Sequence, residues 1–144
     1  LSLSDTPKPV ANYVPSVLTG SMLFVSGQVG LNSDRTILNP GKLGKDLSVE
    51  TGYETARQTV LSCLSVIKGA IGDLDKVKQV VKIMVMINAT SDFAEHPQVA
   101  NGASDLLVEV YGDQGRHARA AVGMSSLPLN ASVEIDMVVE VEQR

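Results

Sequence analysis

Polar and apolar positions alternate most regularly near the C-terminal end of the chain. Val133, Ile135, Met137, Val139 and Val141 interleave with Glu134, Asp136, Val138, Glu140 and Glu142. A period of two is that of a strand with one face on a core and one mostly polar face. The pattern changes to steps of three and four between Val49 and Ile71, where Tyr53, Ala56, Val60, Cys63, Leu64 and Ile67 recur. That spacing predicts a long amphipathic helix, with Ser48 as N-cap, Glu50 in the first turn and Gly72-Asp73 as the stop. Val99, Ala103, Leu106, Leu107 and Val110 predict a second helix, with Ser91-Asp92 as a cap and Gly112 just past its end.

Three further strands complete the pattern. Tyr13 to Thr19 and Met22 to Ser26 flank Gly20-Ser21 and read as a hairpin. Gly27 to Lys45 is rich in Gly, Asn, Asp and Pro and reads as a long loop. Val77 to Asn88 is a strand whose stretch from Ile83 to Ile87 is apolar at every position, so both its faces need cover. Arg119 to Ser125 is a strand of small residues. The order β-β-α-β-α-β-β predicts an α+β, two-layer fold with two helices on one sheet face. Self-association would cover the other face.

Composition narrows the class. The 144 residues are enough for one domain, 1–144, with its own core. Aromatics are 3% and Trp is absent, so that core must be built from Val, Leu, Ile, Met and Ala. A net charge of −4 argues against a nucleic-acid binder that works through a basic stripe. Cys63 is the single cysteine, which excludes an internal disulfide and fits a reducing compartment. No apolar run reaches a membrane span, and the first residues lack the build of a signal peptide, so a cytoplasmic protein is expected.

The candidate chemistry lies near the C-terminus. Arg119 offers a planar fork of donors suited to a carboxylate, and Ala120, Ala121 and Gly123 leave room around it. Glu134 sits on the polar side of its strand. It reads as a general base, as part of a solvated face, or as an ion-pair partner for Arg119 in a shared pocket. His117 reads as an acid-base group or as a solvated loop residue. Cys63, on the apolar side of the long helix, reads as core rather than as a nucleophile. His96, His117 and Cys63 are too dispersed for metal-ligand spacing, and no glycine-rich phosphate loop follows a strand. Ser26-Gly27-Gln28 reads as turn chemistry or as a pocket edge.

Taken together, these residues resemble the Rid family of reactive-intermediate deaminases, also called the YjgF or L-PSP endoribonuclease family. The resemblance is carried by Tyr13-Val14, Ser26-Gly27-Gln28, Phe93-Ala94, Asn101, Ala118-Arg119, Leu127-Pro128 and Val133-Glu134-Ile135, in that order. It implies a chorismate-mutase-like fold, a mixed sheet, and a homotrimer with ligand clefts between subunits. It also implies deamination of 2-iminobutanoate- or 2-iminopropanoate-type imines and enamines to 2-oxo acids, without a cofactor or metal. By resemblance Arg119 anchors the substrate carboxylate and Glu134 helps place the water or proton. By the same resemblance Tyr13, Gln28 and Asn101 line the pocket, some of them contributed by the adjacent subunit. The chain departs from the pattern at Ala121, where the deaminases commonly carry Cys, at Gly30, where they commonly carry Pro, and in a longer segment from Glu95 to Asp105 with His96-Pro97. These departures suit a divergent subgroup. A non-catalytic protein that binds small carboxylic acids is the alternative reading, and RNA cleavage is the third.

Overall fold

The computed structural model describes Leu3 and residues 12–142. Most of the N-terminal segment weighed above for a targeting signal lies outside the described residues. Five strands and two helices follow in the order β1 (Ser16–Thr19), β2 (Met22–Val29), α1 (Val49–Ile71), β3 (Val77–Asn88), α2 (His96–Tyr111), β4 (Ala118–Met124) and β5 (Val133–Val141). The sheet order is β1-β2-β5-β3-β4. β3 and β4 run parallel and every other pair is antiparallel, so the sheet is mixed. Both helices pack on one face, as the α+β reading expects.

Local chemistry explains the boundaries. Ser48 Oγ accepts from the Thr51 amide, and Gly72, at φ 87°, turns its own amide back to Lys68. Both ends of α1 therefore fall where the capping residues put them. α2 begins later than Ser91-Asp92 would have it. Asp92 is engaged by the Thr90 hydroxyl in a turn, and the helix starts at His96 with Pro97 in its first turn. β1 is shorter than Tyr13 to Thr19, because Pro15 has no amide hydrogen for a ladder. β2 runs beyond Ser26. Its register to β5 slips between Val25 and Gln28 and then resumes at Gln28–Ile135 and Val29–Glu134. Ser26-Gly27 is thus a β-bulge rather than the start of the loop.

The core lies between the sheet and the helices. Ile83, Val85 and Ile87 of β3 and Ile135, Met137 and Val139 of β5 are buried there against Val60, Cys63, Leu64 and Ile67 of α1 and Leu106 and Leu107 of α2. On the other face Met84 and Met86 are only half-buried, beside half-buried Val122 and Val138, and Phe24 is exposed. The unbroken apolar run of β3 therefore has one covered face and one open face in the single chain. Among the described residues no helix is long and apolar enough to cross a membrane.

Candidate active site

Arg119 is at the start of β4, an edge strand, in register with Ile83 and hence on the helix-covered face. α2 passes beside it. Asn101 and Ser104 are three residues apart, one turn of α2, and both reach the same guanidinium nitrogen. Arg119 Nη1 donates to Asn101 Oδ1 at 2.9 Å and to Ser104 Oγ at 3.1 Å. Ser104 Oγ also meets His117 Nε2 at 2.9 Å, and His117 Nδ1 faces the Gly115 carbonyl at 2.5 Å. The His117 ring is half-buried. It is therefore neither a plain solvated loop residue nor directed at open space. Gln79 Nε2 donates to the Arg116 carbonyl at 2.7 Å, which ties this segment to β3.

Glu134 is elsewhere. It is in register with Met86 and Val29, on the open face. Its carboxylate lies over the β2 bulge: a Cβ built on Gly27 would come within 2.2 Å of Glu134 Oε2. Partial burial raises the Glu134 carboxyl above its ordinary value, and the charge of Asp136 adds to this. Burial also raises Asp136, against an opposing pull from Lys82. Gln28 is half-buried beside the bulge, its amide donating to the Ser26 carbonyl at 3.1 Å. Ser26 Oγ donates to the Val14 carbonyl at 2.7 Å, which brings the exposed Tyr13 alongside this end of β2.

The pairing of Arg119 with Glu134 in one pocket of one chain is therefore corrected. The two occupy opposite faces of the sheet, with Asn101 and Ser104 in the place a carboxylate partner would take. The candidates do not form one group: Arg119 and Asn101 lie at the β4 edge, Glu134 lies on the open face beside the β2 bulge with Tyr13 near that end of β2, and Gln28, in register with Ile135, is on the helix-covered side of β2. Two surface clefts, of about 290 and about 680 Å³, are lined by other residues.

The remaining sequence candidates separate cleanly. Cys63 is buried, its Sγ 3.4 Å from the Ile135 carbonyl, and burial drives its thiol well above the ordinary range. That is a core residue, not a nucleophile. His96 packs edge-on to Phe93 and covers Gly123, where a Cβ would meet Nε2 at 2.6 Å. Gly123, Ala121 and Arg119 share one face of β4, so the His96-Pro97 segment borders the same surface as the arginine. Among the described residues no cluster of three or more His, Cys, Asp or Glu could hold a metal. Ser104 was missed by sequence reasoning, although its spacing of three from Asn101 was a usable signal.

A mixed five-stranded sheet with two helices on one face is the architecture this chain shares with YjgF/chorismate-mutase-like proteins. The model described as "YjgF/chorismate_mutase-like, putative endoribonuclease" matches residues 1–141, and the chain belongs to this YjgF, or Rid, family. Protein TCP17 of Trypanosoma cruzi is 45% identical over 141 residues, 97% of this chain and 88% of that protein. The 2-iminobutanoate/2-iminopropanoate deaminase of Dermatophagoides farinae is 27% identical, over 99% of this chain and 95% of its own length. The crystal structure of Atu1372 from Agrobacterium tumefaciens superposes with a TM-score of 0.89 at 43% identity, over 92% of this chain and 85% of that one.

Proposed function

We propose that this protein hydrolyses small 2-imino acids, and the enamines in equilibrium with them, to 2-oxo acids and ammonia. The observation that carries the reading is the state of Arg119: exposed at an edge strand, yet held at one nitrogen by Asn101 and Ser104. A tethered guanidinium is suited to grip a carboxylate and fix the adjacent C=N carbon. Glu134, its carboxyl made more basic by partial burial, is suited to take a proton from an attacking water. The C–O bond forms at the imine carbon, the nitrogen gains protons, and the C–N bond breaks to release ammonia. Imines already hydrolyse in water, so orientation and charge stabilisation suffice, and no cofactor is invoked. A deaminase among the relatives supports this reading.

Because Arg119 and Glu134 face opposite ways in one chain, the working site takes Arg119 and Asn101 from one subunit. Glu134 and Tyr13 come from a neighbour in a homotrimer, while Gln28, on the helix-covered side of β2, is left out of this grouping. The open face with Met84, Met86 and Phe24 supports such an assembly, since apolar area of this kind is stabilised by cover. The test is release of 2-oxo acid from freshly generated 2-aminoacrylate and 2-aminocrotonate. Wild type should accelerate it, and Arg119→Ala should lower kcat/KM about a hundredfold or more without loss of folding. A folded wild type that gives no acceleration over buffer would sink deamination of these imines.

A second reading rests on Ala121, which lies on the arginine's face of β4 where the deaminases commonly carry Cys. It makes the protein a binder of small carboxylic acids, with ligand-induced thermal stabilisation through Arg119 and no turnover. RNA cleavage is disfavoured by the net charge of −4.

A further inference from the structure

With a neutral His117 ring, the hydrogen-bond chain behind Arg119 runs in one direction. The Gly115 carbonyl only accepts, so His117 Nδ1, facing it at 2.5 Å, carries the hydrogen. In the neutral imidazole, Nε2 is then an acceptor. Ser104 Oγ, 2.9 Å away, gives it the hydroxyl hydrogen. The lone pairs of Ser104 are thereby left to Arg119 Nη1, at 3.1 Å, a group that can only donate. The second hydrogen of Nη1 goes to Asn101 Oδ1 at 2.9 Å. Both hydrogens on Nη1 are engaged, and among the described residues no acceptor engages Nε or Nη2.

We propose that Ser104 and His117 are positioning residues: they hold Arg119 by its Nη1 end so that the Nε–Nη2 edge is the one presented to a carboxylate. This rests on reading Arg119 as the carboxylate anchor. Two parallel N–H groups on one edge match the two oxygens of a carboxylate, and a guanidinium already fixed in that attitude loses little freedom on binding. The backbone sets up the support. Gly115 is pressed against α2 so closely that a Cβ there would stand 2.2 Å from the Leu107 carbonyl oxygen. That contact brings the Gly115 carbonyl and His117 to the turn of α2 that carries Ser104. Neither residue needs to touch substrate, so both act through the arginine.

A tie that merely joined α2 to β4 would affect melting alone. A positioning role changes which ligands are preferred. The experiment is calorimetric titration of 2-oxobutanoate and of its neutral analogue 2-oxobutanamide into wild type, Ser104→Ala, Ser104→Thr, His117→Phe and Arg119→Ala, with a thermal melt of each. Ser104→Ala should weaken 2-oxobutanoate about tenfold and 2-oxobutanamide less than about twofold. Ser104→Thr, which keeps the hydroxyl, should bind as wild type does. His117→Phe, which leaves that hydroxyl without its acceptor, should fall between the two. Unchanged preference for the carboxylate in Ser104→Ala and His117→Phe, alongside loss of binding in Arg119→Ala, overturns the positioning role and leaves the anchor standing. Should Ser104→Ala not fold, His117→Phe against Ser104→Thr decides the matter on the same readout. Binding that survives Arg119→Ala, or is absent from wild type, overturns the anchor and the positioning role together.

Discussion

Glu134 illustrates how a side chain suited to chemistry can weaken the fold that holds it. Burial and the neighbouring Asp136 raise its carboxyl, so the folded chain holds that proton more tightly than the unfolded chain does. The stabilisation from this shift is complete below the ordinary carboxylate value and fades as pH rises through the raised one. In the single chain the partly buried charge is a cost at neutral pH. Glu134→Gln is therefore expected to melt at a higher temperature than wild type at neutral pH and to lose that advantage as pH falls toward about 4. Melting curves at the two pH values check this, and a constant difference would contradict it. At this scale the order and spacing of a known motif singled out Arg119 and Asn101, which the fold brings into hydrogen-bond contact. It did not show that Arg119 turns away from Glu134. Alternation fixes the two faces of each strand but not which faces coincide across strands, and that is set by the β3–β4 and β3–β5 registers.

At the scale of elements, α1 and α2 support the arginine. Their crossing is tight because Gly102 has no side chain: a Cβ there would lie 2.0 Å from the Tyr53 carbonyl oxygen. The Tyr53 hydroxyl meets Asp105 at 2.7 Å and Arg57 meets Glu109 at 2.9 Å along the same crossing. Gly102 is the residue after Asn101, so pushing the helices apart would also move the arginine's partner. Gly102→Ala should destabilise the fold by about 1–3 kcal/mol despite the better helix propensity of alanine. Denaturant unfolding measures it, and a neutral or stabilising effect would show that the crossing can relax. Helix α1 was legible end to end because periodicity, N-cap and C-cap agree. The start of α2 was not, because Asp92 is cap-like in type but is occupied by Thr90. The second half of β2 was hidden because a bulge at Gly27 looks in sequence like a turn.

At the scale of the molecule, the sheet separates Arg119 from Glu134, and the proposed function reunites them only across subunits. β4 forms one edge of the sheet and β1 the other, with β2, β5 and β3 between. The apolar run of β3 already hinted at a second covered surface, but no single sequence specifies where a partner's side chains would arrive. If each site takes Arg119 from one subunit and Glu134 from its neighbour, two inactive variants can restore each other. Arg119→Ala and Glu134→Gln protomers, mixed after denaturation and refolded together, would rebuild complete sites. In random trimers roughly a quarter of the sites would pair an intact arginine with an intact glutamate. The decisive measurement is 2-oxo acid release from 2-aminocrotonate by this mixture, compared with each variant refolded alone. Recovery of roughly a quarter of the wild-type rate per site is the predicted result. A refolded mixture no more active than its parents would contradict a site shared between subunits.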